Sequence, residues 1–165
     1  MRVMYHVGDK IFYPMHGAGI IESIQEREMF GETKKYYCLN MPVGDMTLLI
    51  PADGIDKTGL RAVIDEKEAF EVIDKISDID IDMSQNWNKR YRENMLLLKS
   101  GDLIEAAGVV KGLVMREAER SLSTGERKML ISAKSVLISE LVLATGLTKE
   151  EIERLIENKI FTSVE

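Results

Sequence analysis

The chain has 165 residues, of which 45% are hydrophobic and 30% charged, and its formal net charge is −6. This is enough apolar material for one domain or two small ones, yet no run approaches the roughly 18 apolar residues that a membrane span needs. The first residues, Met-Arg-Val-Met-Tyr-His-Val-Gly-Asp, lack the apolar segment of a secretory signal, and the one cysteine, Cys38, has no partner for an internal disulfide; both favour a reduced, cytoplasmic protein with no membrane contact.

Residues 1–63 read as β structure. Lys10-Ile-Phe-Tyr-Pro14 is a short apolar run ended by proline. Gly17-Ala-Gly19 opens a long segment that roughly alternates as far as Met29, and Phe30-Gly-Glu-Thr33 punctuates it. Lys35 to Met41 is rich in strand formers, Pro42-Val-Gly-Asp45 is a turn cluster, and Met46 to Ile50 follows before Pro51. Short strands with frequent turns predict a small, strongly bent sheet or barrel. Cys38 falls in the run Tyr36-Tyr-Cys-Leu39 and reads as a buried strand thiol.

From residue 64 onward the apolar period becomes helical. Ala69, Phe70, Val72, Ile73 and Ile76 mark a first helix, within an acidic connector over residues 64–84. Leu103, Ala106, Ala107, Val110, Leu113 and Val114 mark another. Leu130, Ala133, Val136, Leu137 and Leu141 mark a third. Ser123-Thr-Gly-Glu126 and Thr148-Lys-Glu-Glu151 are capping boxes, the second stapled by Leu147 and Ile152, with Gly146 ending the helix before it. That last junction has the outline of a helix-turn-helix. Its second helix is net acidic, however, and a helix entering the major groove should not be; it reads as a packing helix. The expected organisation is an α+β chain: a β domain over residues 1–63 and a helical domain over residues 64–165.

Little in the chain suggests catalysis. His6 and His16 are the only histidines, and no second cysteine or acidic cluster stands at ligand spacing beside them. No metal, no cofactor and no enzymatic activity are expected, because no convergent set of titratable groups is legible. Gly17-Ala-Gly19 lacks the third glycine and the following helix of a dinucleotide site, and reads as a strand entry that needs unusual backbone angles.

Charge, by contrast, is segregated. Residues 65–82 carry eight acids against two lysines, whereas residues 87–134 carry ten bases against six acids. A local field rather than the total decides what a surface attracts. The sole tryptophan, Trp87, lies in Ser84-Gln-Asn-Trp-Asn-Lys-Arg-Tyr-Arg-Glu-Asn94, beside Lys89, Arg90 and Arg92. Trp87, Tyr91, Met95 and Leu98 fall within about 80° on a helical wheel, as a buried stripe would. Asn86 as N-cap would instead put Trp87 in the first turn, where side chains often escape the core. Spacing alone leaves both placements open. Arg127 and Lys128 sit near another helix start, where the helix dipole disfavours cations, and so hint at an anionic partner.

The ordered set "VGDKIFYPMHGAGIIESI", Tyr36-Tyr-Cys-Leu39, Gly44-Asp45, Pro51, "NWNKRYREN", "SGDLIEAAGVVKGL" and "ERSLSTGERKMLISAKSVLISEL" resembles the CarD/CdnL family of bacterial transcription regulators. The resemblance implies a Tudor-like N-terminal domain that binds the RNA polymerase β subunit and is similar to the polymerase-interacting domain of transcription–repair coupling factors. It also implies a helical domain at promoter DNA, on the upstream edge of the bubble, and favours a monomer. It implies that Trp87 wedges into the minor groove with low sequence specificity. Lys89, Arg92 and Arg127 would contribute to DNA binding, with Arg90 and Lys128 added by their place in the basic clusters. Arg27 would contact polymerase, with Met29 on the same strand. Leu49 stands where some members have a second polymerase-contacting arginine, so an apolar contact would replace a charged one. The competing expectation is a polymerase- or protein-interaction module with no DNA contact.

Overall fold

The computed structural model describes residues 5–162, without the side chains of Met29, Asp56 and Thr162. Five antiparallel strands come first: β1 (Lys10–Tyr13), β2 (Gly17–Met29), β3 (Glu32–Met41), β4 (Met46–Pro51) and β5 (Arg61–Ala62), in the order β4-β3-β2-β1-β5. They form the small bent sheet that the strand pattern predicts, in the Tudor-like arrangement that the family resemblance implies. Its curvature has a local cause. The β2–β3 register shifts between Ile21 and Ser23, and such a bulge bends a strand and sharpens its twist. Tyr37, Leu39 and Met41 alternate into a core with Ile11, Ile21, Ile50 and Ile55. Cys38 is buried on the opposite face and its thiol donates to Glu22 Oε1 at 3.5 Å.

Gly17 takes the unusual backbone angle that the sequence suggested, whereas Gly19 is needed for close approach. Gly17 has φ +114°, and a Cβ there would stand 2.8 Å from Ser139 Oγ. A Cβ on Gly19 would stand 2.7 Å from the Asn40 backbone oxygen, too close for any side chain.

Five helices follow: α1 (Glu66–Lys75), α2 (Trp87–Lys99), α3 (Leu103–Glu119), α4 (Thr124–Thr145) and α5 (Lys149–Thr162). Each begins with a side-chain oxygen accepting a first-turn N–H, from Asp65, Asn86, Asp102, Ser123 and Thr148 in turn. Gly146, at φ +77°, caps α4 in the left-handed conformation. The bundle core joins Ala69, Val72, Ile73 and Ile76 to Leu103, Ala107, Val110, Leu137, Ile138 and Leu141. Ile152, Ile156 and Ile160 of α5 are also fully buried there, so α5 is the packing helix its acidic surface suggested. Phe70 departs from the expected stripe and is partly exposed. No single helix among the described residues is long and apolar enough to cross a membrane.

Sheet and bundle are joined by polar anchors. The Ala18 N–H donates to Ser139 Oγ at 2.9 Å. Arg61 donates to both oxygens of fully buried Glu140, at 2.6 and 2.7 Å, and to the Gly101 carbonyl at 2.9 Å. The same guanidinium lies 4.2 Å over the Phe12 ring, a cation–π contact. Buried Lys111 gives its ammonium protons to the carbonyls of Ile76, Ser77 and Ile79, which pins the chain leaving α1.

Candidate nucleic-acid interface

The starts of α2 and α4 meet at one end of the bundle. Asn86 caps α2 through its Oδ1, which accepts the Lys89 N–H at 3.0 Å, so Trp87 occupies the first helical turn. There its indole is 43% exposed, which resolves the ambiguity left by spacing: the ring is half in and half out. Its inner face stacks on Tyr91, with centroids 5.3 Å apart and planes at 21°. Its Nε1–H donates to Ser123 Oγ at 2.8 Å. Ser123 is the N-cap of α4, so one hydroxyl ties the two helix starts together.

Beneath the indole lies a buried ion pair. Arg90 and Glu126 are each 2% exposed. Arg90 Nε and Nη2 donate to the two carboxylate oxygens at 2.7 and 2.9 Å, and Nη1 donates to the Ser84 and Gln85 carbonyls. The paired hydrogen bonds hold the Glu126 carboxyl below the usual carboxylate range and raise the Arg90 guanidinium further, each against the opposing cost of burial. Arg90 was expected at the DNA surface, and the structure removes it from that set. Its guanidinium is consumed inside the bundle, on the side of α2 that faces α4.

The other cations remain outside. Lys89 is exposed and reaches Glu93 at 3.9 Å, an i,i+4 pair that water screens. Exposed Arg92 donates to the Asn88 carbonyl at 3.4 Å, through its Nε. Arg127 reaches the Leu122 carbonyl at 3.4 Å and Glu117 at 3.8 Å, yet stays half exposed. Lys128 is exposed beside it. Trp87, Lys89 and Arg92 therefore lie in the first two turns of α2, and Arg127 and Lys128 in the first two turns of α4, the two helices whose starts meet through Ser123; the N–H groups of those helix starts add positive potential.

The residues expected to meet polymerase lie on the sheet. Arg27 pairs across the ladder with Lys34, and Leu49 with Cys38, which pairs with Ser23. Since Ser23 and Arg27 are four residues apart on one strand, Arg27 and Leu49 share a face, opposite the sheet core. Arg27 is exposed and rests on Gln25 Oε1, and Leu49 is 40% exposed. Met29 follows in the same alternation, but its side chain lies outside the described residues.

Sequence reasoning did not foresee the roles of Ser123 and Glu126. Both were legible as a capping box, but nothing local says that the cap also receives an indole N–H from 36 residues away.

A bent strand module joined to a helical bundle does not by itself name a function; the family models do, and the class is a transcription factor of the CarD-like kind. "CarD-like/TRCF RID domain", a polymerase-interaction domain family, matches residues 5–64, and "CarD, C-terminal domain" matches residues 71–157. The chain belongs to the CarD/CdnL family. It is 37% identical over 150 residues to the Bacillus subtilis (strain 168) protein named "Putative transcription factor YdeB", covering 91% of this chain and 98% of that one.

Proposed function

We propose that this protein binds the RNA polymerase β subunit through the exposed sheet face and stabilises the open promoter complex by a minor-groove contact at the upstream edge of the bubble. Residues 1–63 form the tether in this reading, and residues 64–165 the DNA-contacting unit. Arg27, Met29 and Leu49 serve the polymerase contact; Trp87, Lys89, Arg92, Arg127 and Lys128 serve the DNA. The observation that carries the reading is the half-exposed Trp87 ring, backed by Tyr91 on the helix that also carries exposed Lys89 and Arg92.

The physics is a population shift. A factor that contacts the open complex better than the closed one favours it by the difference in affinity, and by no more. Tethering to polymerase raises the local concentration of a weak DNA-binding surface. Cations grip phosphates, and a flat apolar ring suits unstacked base steps at a fork. The test is open-complex lifetime with Trp87→Ala. The reading expects a shortened lifetime with polymerase binding intact; an unchanged lifetime refutes the wedge.

A further inference from the structure

The indole of Trp87 has a single hydrogen-bond donor and no acceptor. That donor is spent inside the protein, on Ser123 Oγ at 2.8 Å. The same oxygen accepts the Glu126 backbone N–H at 3.2 Å, and its own proton points to Glu126 Oε1 at 3.4 Å. The hydroxyl is thus filled from both sides. Glu126 cannot swing away, because Arg90 grips both of its oxygens at 2.7 and 2.9 Å. Tyr91 covers one face of the ring. A Cβ on Gly125 would sit 3.6 Å from Trp87 Cζ2, so α4 runs close along the ring edge.

What remains facing outward is carbon. In the minor groove every base pair presents acceptors, and a G·C pair adds the guanine amino group. A mobile indole N–H could donate to those acceptors and would favour A·T pairs. A ring whose N–H is turned inward has nothing to read them with.

Resting on the wedge reading above, we propose that Ser123 is a positioning residue that fixes the attitude of Trp87 and makes its insertion indifferent to base identity. The hydroxyl holds the N–H inward, so the ring meets the base step as an apolar edge. The ease of unstacking, not base hydrogen bonding, then decides where it inserts.

The experiment uses the full chain with polymerase on two promoters that differ only in an A·T or G·C pair at the upstream fork edge. Open-complex lifetime is measured for wild type, Ser123→Thr, Ser123→Ala, Ser123→Gly and Trp87→Ala. Trp87 is the only tryptophan, so its indole N–H resonance and solvent exchange report on the ring without interference. Ser123→Thr is expected to match wild type in every readout. Ser123→Ala should speed indole N–H exchange, shorten the lifetime about fivefold, the worth of one net hydrogen bond, and lengthen the A·T lifetime relative to G·C. Ser123→Gly, which still permits a helix start at this position, should behave the same way. If Trp87→Ala shortens the lifetime while Ser123→Ala and Ser123→Gly leave exchange and the A·T to G·C ratio unmoved, the positioning role is wrong and the wedge stands. If Trp87→Ala leaves the lifetime unchanged, the wedge reading fails and takes this proposal with it.

Discussion

Arg90→Met separates a structural arginine from a DNA contact. The guanidinium and the Glu126 carboxylate are both 2% exposed and doubly hydrogen-bonded. Removing one partner leaves a buried carboxylate uncompensated, at a cost of about 3–5 kcal/mol. For a chain of this size each kcal/mol moves the unfolding midpoint by about 2–4 °C, so the midpoint should fall by roughly 6–20 °C. The double variant Arg90→Met/Glu126→Met should recover most of that loss, since an apolar pair of similar volume is often as stable as a buried ion pair. Thermal and urea unfolding of the four proteins in the cycle gives the coupling directly. The pair also has a pH signature. The folded state holds Glu126 below its ordinary value of 4.5, so its contribution is complete above that value. It is lost as pH falls through the lowered folded value. The advantage of wild type over Glu126→Gln should therefore be full at neutral pH and fade in acid. A midpoint shift under about 3 °C for Arg90→Met, together with a smaller salt dependence of DNA binding, would refute the reasoning and return Arg90 to the interface.

The surface cations should behave in the opposite way. Lys89→Gln, Arg92→Gln and Lys128→Gln should each leave stability within about 0.5 kcal/mol. Each cation that grips a phosphate should, on removal, lower the salt slope of DNA binding by about 0.9; an unchanged slope in the triple variant removes all three from the interface. Arg27→Glu should abolish capture by the isolated polymerase β lobe while the unfolding midpoint holds; retained capture argues against that sheet face. Glu140→Gln weakens the Arg61 clamp at 2.6 and 2.7 Å, and should cost about 1–3 kcal/mol; an unchanged urea midpoint would mean that the clamp contributes nothing to docking.

Much of this architecture is local and could be read from residues alone. The caps at Asn86, Ser123 and Thr148 are short-range bonds between a side chain and the backbone three residues on, so their pattern survives in sequence. The strand formers of Lys35 to Met41 and the turn cluster after them marked β3, whereas the face each of its side chains takes came from the structure. The acidic face of α5 marked it as a packing helix, and Ile152, Ile156 and Ile160 are buried accordingly. Segregated charge set the basic residues 87–134 apart from the acidic residues 65–82.

The fates of individual cations were not legible. Arg90, Arg92 and Lys89 are equivalent in composition and stand within four residues of one another. Only the approach of α4 distinguishes them, because it brings Glu126 against Arg90 and leaves the others in water. Lys111 has the same history, its ammonium drawn onto three carbonyls of a distant turn. Trp87 was undecided for a related reason: a helical wheel assigns a direction but not what waits there. The sequence by itself determined where α2, α4 and α5 begin, which apolar residues recur at helical spacing and where charge accumulates, since these depend on neighbours along the chain. Tertiary structure alone decided which arginine is internal, how the indole is held and how Arg61 meets Glu140, because those partners stand 36 to 79 residues apart and become neighbours only when the helices pack.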